Sequence, residues 1–347
     1  MRCNAALSVA VALAAVQTAA LDALERKVTQ STARPMIRPL RELASTPFTQ
    51  NDWFAWIEPA RCDSEGNLFF LVMPETKRGT TAAAAPRPTD ILRVSADGKK
   101  SMLLKPGTAS ALADVERFQT VTTAVDPSGS VFALVWATDG DANTQHIVSF
   151  DKAGKLHSHL EVDPEEMFVG AFEVFGSGAV LLEGFRKPPD NEPRAVILTP
   201  GGGGLRDVTA VSSDPSIKVI PQVKTAAYTA RGPDGIVYLV PGDEKAVYAV
   251  DASGDSRFQF TLPKPPRNRR LVGLKAASSR LAAVYYEDGG SGNQRGRFWI
   301  AVHDAAGGER LAVYGPVASP PVCYRYDGTA EQFTLLRDGR YLVTVSP

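Results

Sequence analysis

The sequence predicts an all-β fold, a six-bladed β-propeller whose blades are four-stranded antiparallel sheets. Three observations lead to this prediction: two interleaved series of tight turns, a near-constant spacing between the turns, and intervening runs rich in Val, Ile, Phe, Tyr and Thr. Helical periodicity is absent over the same region. A pair of β-sandwiches is the alternative all-β interpretation, but it does not predict a constant four-strand unit.

The first series of turns is predicted to join strand A, the innermost strand of each blade, to strand B. Its members combine Asp, Pro, Ser and Gly, residues that favour particular turn geometries. They occupy residues 63–66, 126–129, 175–178, 232–235, 276–279 and 326–328. The fifth of these segments has no glycine.

The second series is predicted to join strand C to strand D, the outermost strand, at residues 95–98, 151–154, 200–204, 251–254 and 304–307. Its glycines, Gly98, Gly154, Gly202, Gly254 and Gly307, recur at intervals of 56, 48, 52 and 53 residues. Two turns and four strands in about 50 residues is typical of a propeller blade.

The sixth blade is predicted to lack an outermost strand, because the sequence ends after strand B (331–336) and strand C (340–345). Residues 35–43 (PMIRPLREL) precede blade one and have no other predicted partner. We therefore expect a 3+1 closure in which this N-terminal segment completes the last blade and removes an exposed sheet edge. The propeller is predicted over residues 35–347.

Residues 1–20 are predicted to be a signal peptide, and residues 21–34 a linker. Arg2 precedes an uncharged apolar stretch at 5–16, and small residues follow at 18–20. The alternative is a membrane anchor, but the stretch is shorter than the ~20 residues that a bilayer span needs. We expect an exported protein, periplasmic or extracellular, with no membrane span after cleavage.

Two cysteines remain after removal of Cys3 with the signal. Cys62 lies at the end of strand A in blade one and Cys323 in strand A of blade six, which are neighbours across the ring closure. We expect a disulfide between them, consistent with an oxidising compartment. The alternative is a pair of buried free thiols.

Composition and motifs exclude several functions. Lys+Arg and Asp+Glu each total 38, and without a basic stripe the chain is not expected to bind nucleic acid. No G-x-S-x-G, H-E-x-x-H, Walker or dinucleotide pattern occurs. No catalytic residue, metal site or cofactor is identifiable, and the expectation leans towards a protein that is not an enzyme.

Five charged residues interrupt the otherwise apolar inner strands and are candidates to line the central channel: Glu58, Arg61, Glu173, Arg231 and Lys275. The alternative is that they form structural salt bridges within the channel.

Two patterns resemble metal-binding segments. His157 and His159 have an H-x-H spacing, but their predicted place at the blade periphery favours exposed edge histidines. Asp139, Asp141 and Asn143 resemble the start of a calcium loop without its Gly and final Glu. We interpret them as an acidic B–C loop.

The repeat resembles the NHL-type and gluconolactonase-like six-bladed propellers. The resemblance rests on units such as residues 228–255, where GPDGIVYLV leads to AVYAVDASG, and covers about residues 50–347. The segment 323–347 also resembles the last blade of secreted bacterial propellers of uncharacterised function. Gluconolactonase-like enzymes hold a metal with acidic and Asn ligands, so the resemblance implies calcium as a candidate channel cation. Those ligands match no positions here, and the resemblance therefore implies the fold and not the activity.

Loop lengths indicate where function lies. The A–B and C–D turns are short, whereas the B–C connections at 74–90, 138–145, 184–194 and 287–297 and the D–A connections at 162–167 and 263–270 are long. B–C and D–A connections share one face of the ring, and binding usually resides in such loops. We expect recognition of a protein or glycan partner there. The alternatives are a metal-assisted hydrolase or lactonase with channel carboxylates, and a subunit of an envelope assembly.

Overall fold

The computed structural model describes residues 37–47, 53–74, 89–163, 165–186, 193–199, 204–210, 228–232, 235–241, 245–266, 268–289, 296–338 and 341–347. The sheets belong to the compact unit Arg38–Pro347; of the unit Met1–Ile37 only Ile37 is described. The predicted signal peptide and linker therefore lie outside the described residues. In the part of the chain that is described, no helix is long and apolar enough to cross a membrane.

The described strands form six sheets, numbered here along the chain. Two strands precede blade one: β1 (Ile37–Arg38) and β2 (Arg41–Pro47). Blade one contains β3 (Trp53–Cys62), β4 (Leu68–Pro74), β5 (Asp90–Val94) and β6 (Ser101–Leu104). Two 3₁₀ turns, Pro106–Thr108 and Ser110–Leu112, lead to blade two, which contains β7 (Arg117–Val125), β8 (Val131–Asp139), β9 (Ala142–Phe150) and β10 (Leu156–Val162).

The remaining blades repeat this order. Blade three contains β11 (Phe168–Val174), β12 (Val180–Phe185), β13 (Pro193–Leu198) and β14 (Leu205–Asp207). Blade four contains β16 (Tyr228–Arg231), β17 (Ile236–Val240), β18 (Ala246–Asp251) and β19 (Asp255–Thr261), with the short β15 (Thr209–Ala210) parallel to β19. Blade five contains β20 (Arg269–Ala277), β21 (Arg280–Glu287), β22 (Arg297–Asp304) and β23 (Arg310–Val317), and blade six β24 (Pro321–Tyr326), β25 (Glu331–Arg337) and β26 (Tyr341–Ser346).

The ring closes as predicted, because β2 pairs antiparallel with β26 and supplies the fourth strand of blade six. The closing strand begins at Arg41 and ends at Pro47, later than the predicted segment 35–43. Pro39, which has no backbone N–H to donate to a strand ladder, separates β1 from β2. Side chains reinforce the closure: Arg337 contacts Glu42 at 2.9 Å and Ser45 at 3.0 Å.

The apolar core lies between neighbouring blades. Each inner strand contacts the next around the ring, and β24 contacts β3. In the described residues, six clusters of buried side chains fill the six gaps between blades. Phe69 of blade one and Val135 of blade two, for example, share one cluster. Apolar contacts between neighbouring blades hold the ring together. The polar inner edge of the ring and the connections between strands are therefore available for other roles.

The turns explain the spacing of Asp and Gly in the sequence. In the A–B turn of blade one, Gly66 has a φ of 85°, a left-handed conformation that glycine adopts without steric cost. Asp63 Oδ1 accepts hydrogen bonds from the backbone N–H groups of Glu65 and Asn67, at 3.0 and 2.9 Å. In the A–B turn of blade five, which has no glycine, Ser278 takes the left-handed conformation with a φ of 48°.

The predicted acidic B–C loop of blade two is wrong. β8 continues to Asp139 and β9 begins at Ala142, and these two residues pair across a tight hairpin. Gly140 has a φ of 56° and makes the turn. The polar residues that suggested a loop are therefore strand and turn residues. The central parts of the other long B–C connections, 75–88, 187–192 and 290–295, lie outside the described residues.

Candidate functional site

The inner ends of all six blades meet around one small cavity in the central channel, of ≈ 70 Å³. Four of the five predicted channel residues border it: Arg61, Glu173, Arg231 and Lys275. Tyr324 of β24 is also in its wall. The fifth, Glu58, belongs to β3, but its side chain lies outside the described part of the structure.

Arg61 and Glu173 form an ion pair across the channel. Arg61 Nη2 of blade one lies 3.0 Å from Glu173 Oε1 of blade three, and Arg61 Nε donates to the carbonyl of Thr123 in blade two at 3.1 Å. Thr229 of blade four donates its hydroxyl to Glu173 Oε1 at 3.2 Å. These contacts join four consecutive blades. The Glu173 side chain is only 4% exposed, so its charge depends on these partners for stabilisation.

The other two channel cations bind backbone carbonyls of other blades. Arg231 of blade four donates to the carbonyl of Val125 in blade two. Lys275 Nζ of blade five lies 3.3 Å from the carbonyl of Val322 in blade six. Burial lowers the pKa of Arg231, while the carboxylates of Glu173, Asp126 and Asp63 act in the opposite direction.

The disulfide predicted for the ring closure is confirmed. Cys62 and Cys323 are bonded, with their Cα atoms 5.5 Å apart. Cys62 also borders the channel cavity, next to Arg61. The covalent link therefore joins blade one to blade six at the inner edge, whereas β2 joins the two ends of the chain at the outer edge.

The charged cluster lies at the ends of the inner strands that lead into the A–B turns. Arg231 is the last residue of β16, and Arg61 and Glu173 are the next-to-last residues of β3 and β11. The cluster is thus nearer the face with short turns than the face with long B–C and D–A connections. Within the described residues, the charged side chains of the channel and the long connections therefore do not form one site.

The described channel side chains do not fit a divalent cation. Calcium takes six to eight oxygen ligands, but the described lining of the cavity offers three cationic side chains and one carboxylate. Among the described residues, no group of three or more His, Cys, Asp or Glu side chains converges elsewhere in a way that would hold a metal. His159 of the H-x-H pair instead contacts His146, with Nε2 and Nδ1 2.9 Å apart, and His157 is exposed.

A second cavity, between blades four and five, was not anticipated from the sequence. It is bordered by residues 263–266 and by side chains of blade five, among them Arg269, Trp299 and His303. The sequence does contain a pattern that could have indicated this cavity. The alternation Trp-x-Ala-x-His at 299–303 places three side chains on one face of a strand, and the connection that precedes this blade is basic and rich in proline.

Comparison with known proteins finds likenesses among solved structures. No protein-family model matches the chain, and a search of curated proteins finds no match. Among solved structures, the chain is similar to a catalytically inactive virginiamycin B lyase from Staphylococcus aureus with quinupristin, at 13% identity and a TM-score of 0.44, over 89% of this chain and 99% of that one.

Two further solved structures are similar over most of their length. One is a DUF4221 family member from Bacteroides vulgatus, at 8% identity and a TM-score of 0.48, over 88% of this chain and 97% of that one. The other is the β-propeller domain of the Trilobed protease from Pyrococcus furiosus, at 11% identity and a TM-score of 0.43, over 86% and 82% of the two chains. At such low identity the likeness concerns the fold alone. The chain is a six-bladed β-propeller, as its own strand topology establishes.

Proposed function

We propose that this protein is an exported propeller that recognises a protein or glycan partner and does not act as an enzyme. One observation carries the proposal: Glu173, the one carboxylate in the described lining of the channel cavity, is bound by Arg61 and Thr229. A carboxylate that is occupied in this way is a poor candidate for a metal ligand or a general base, because either role would require it to give up its ion pair.

The loop-bearing face supports recognition as the role. The D–A connection from Thr261 to Arg269 and the B–C connection from Glu287 to Arg297 are longer than the two-residue A–B turn between Ala277 and Arg280 in the same blade. Long connections on a rigid scaffold are where partners usually bind. Their Pro, Gly and mixed charge suit a polar partner surface.

Two features support export. The apolar leader at residues 1–20 has the composition of a signal peptide. The Cys62–Cys323 disulfide is of the kind that persists in oxidising compartments.

The test is a binding screen of the purified mature chain against a glycan array and a displayed peptide library. In a loop variant, residues 188–191 (PPDN) are replaced by Gly-Ser-Gly-Ser; in the matched control, Lys99 and Lys100 of a C–D turn on the opposite face are replaced by Ser. We expect ligands whose binding is lost in the loop variant and retained in the control. If binding were lost equally in the loop variant and in the control, or if no ligand were found, the result would argue against recognition by the loop-bearing face.

The alternative, a metal-assisted hydrolase or lactonase, is tested on the same preparation. Metal content after dialysis and hydrolysis of a lactone panel are measured for the wild type, Glu58→Gln and Glu173→Gln. We expect no stoichiometric metal and no lactonase activity. If the protein held stoichiometric calcium and had lactonase activity that both substitutions abolish, its function would be catalysis and not recognition.

A further inference from the structure

The cavity between blades four and five is a cleft built by one strand face and a proline-rich cover. Trp299, Ala301 and His303 are alternate residues of β22 and therefore point to the same side of the sheet. The segment 263–266 between β19 and β20 also borders the cavity, as do side chains of β20, β21 and β23. Ala301 leaves room between the two large rings. The cavity measures ≈ 60 Å³, about five times the minimum that one water requires, which suits a small molecule or one end of a larger one.

His303 borders this cleft and has an unused hydrogen-bond acceptor. The side chain is fully buried, its Nδ1 lies 3.1 Å from the carbonyl oxygen of Gly308, and its Nε2 has no hydrogen-bond partner among the described residues. Burial lowers the pKa of His303 to about 4, so the ring is neutral at pH 7. A neutral ring that donates from Nδ1 has a bare lone pair on Nε2. Buried acceptors are nearly always paired, so this atom calls for a donor.

The charges around the cleft are of one sign. Lys264, Arg269 and Arg310 border it, and no carboxylate does so among the described residues. Arg269 is already engaged, since its Nε lies 2.7 Å from Glu287 Oε2 and its guanidinium stands 3.6 Å from the centre of the Trp299 ring. Lys264 and Arg310 are exposed and form no ion pair with any described residue. Cations gathered at a partly dry surface attract an anion.

We propose that this cleft binds a small organic anion that also carries a hydroxyl group, such as a hydroxycarboxylate or a sugar acid. The anionic group lies beside Arg310 and Lys264, and the hydroxyl donates to Nε2 of His303. An ammonium donor is disfavoured there by the surrounding cations. Tyr285, whose pKa is raised to about 12 by burial, keeps its proton and offers a second polar contact. Binding of such a ligand in the cleft does not depend on binding of a partner at the loop-bearing face.

The test uses the purified full-length mature protein and defined probes. D-glycerate and D-glucuronate are titrated by calorimetry and ligand-observed NMR, beside their neutral counterparts glycerol and D-glucose and beside acetate, which has no hydroxyl. We expect saturable binding of at least one hydroxylated anion, at least tenfold weaker binding of its neutral counterpart, and at least tenfold weaker binding of acetate.

Three variants locate the binding. Ala301→Leu fills the cleft without changing its charge, and Arg310→Gln removes an exposed cation that is not expected to affect folding; each should weaken binding at least tenfold. Arg297→Gln, which replaces an exposed arginine of β22 outside the cleft, is the matched control and should bind as the wild type does. Absence of saturable binding by both anions, or binding unchanged in Arg310→Gln and in a folded Ala301→Leu, would overturn the proposal.

Discussion

The central channel and the cleft between blades four and five both bury ionisable side chains, but they differ in how the polar atoms are satisfied. In the channel, Glu173 is shared by Arg61 and Thr229, and Arg231 reaches a backbone carbonyl of another blade. In the cleft, the buried His303 uses one ring nitrogen and leaves the other without a partner among the described residues.

This difference separates a structural cluster from a candidate binding site. Groups that satisfy one another across several blades hold the ring together, and a ligand would have to break those contacts to enter. A buried acceptor that the surrounding chain leaves unsatisfied costs free energy in the unliganded protein, and a ligand that supplies the donor recovers it. The two regions should therefore respond differently to substitution.

The largest effect is expected from removing the disulfide at the channel edge. The Cys62–Cys323 bond joins residues 261 apart in sequence, and closing so long a loop restricts the unfolded chain strongly. Cys62→Ser with Cys323→Ser should lower the free energy of unfolding by about 4 kcal/mol, measured by denaturant titration. Reduced wild-type protein should unfold at the same denaturant concentration as the double variant. A double variant as stable as the oxidised wild type would show that the closing strand β2 suffices alone.

The next largest effect is expected from breaking the channel ion pair. Glu173→Ala leaves the partly buried Arg61 guanidinium without its carboxylate and should lower the free energy of unfolding by about 3 kcal/mol. Replacing both residues by methionine should restore part of the loss, because Arg61 is then removed together with its carboxylate, while Arg231 still loses the attraction of Glu173.

The control is Glu65→Ala, which removes an exposed carboxylate that pairs with Lys152 between blades one and two. Surface pairs of this kind contribute little, so the control should unfold close to the wild type. If Glu173→Ala were no more destabilising than Glu65→Ala, the channel pair would not be structural, and the contrast with the cleft would disappear.

The smallest of the three effects is a pH dependence that originates in the cleft. The pKa of His303 is lowered from 6.5 to about 4 by burial, and Arg310 acts in the same direction. Between these values the unfolded chain binds a proton at His303 and the folded chain does not, so stability falls as pH decreases. From pH 8 to pH 5, protonation of His303 in the unfolded chain should lower the free energy of unfolding by about 2 kcal/mol. This loss reaches its full size only as the pH falls to the pKa of the folded state.

Comparison of variants isolates this contribution from other titrating groups. Urea unfolding at pH 8 and pH 5 should show a smaller loss of stability on acidification in His303→Gln than in the wild type. His157→Gln, which replaces an exposed histidine, should keep the wild-type dependence. An identical dependence in His303→Gln would mean that the ring is not held neutral.

The blade repeat could be predicted from the sequence because most turns place one residue in the left-handed conformation and glycine marks those places, although Ser278 takes that conformation in blade five. The register of the closing strand could not, because only pairing with β26 selects Arg41–Pro47. The hairpin at Gly140 was missed for a related reason. Polar residues at a strand end resemble loop residues until their partner strand is known.

The channel residues were identified from charge within apolar strands, but their partners were not. Arg61 and Glu173 are more than 100 residues apart, and only closure of the ring brings blades one and three to the same cavity. The cleft was missed because His303 ends an ordinary strand pattern. His303 becomes part of a cleft because Ala301 and residues 263–266 of the preceding connection lie near it. This proximity exists only in the folded protein.

The pairing of β2 with β26 has a consequence for biogenesis. Glu42 and Arg337, which contact each other beside this pair, are separated by 295 residues. The strands of each of the first five blades are close together in sequence, but the sixth blade is complete only when β2 meets β26. Until then, β2 has no strand to pair with and the ring is open on one side. A late, all-or-none locking step is thus part of the topology, and it makes folding slow compared with proteins of mainly local contacts.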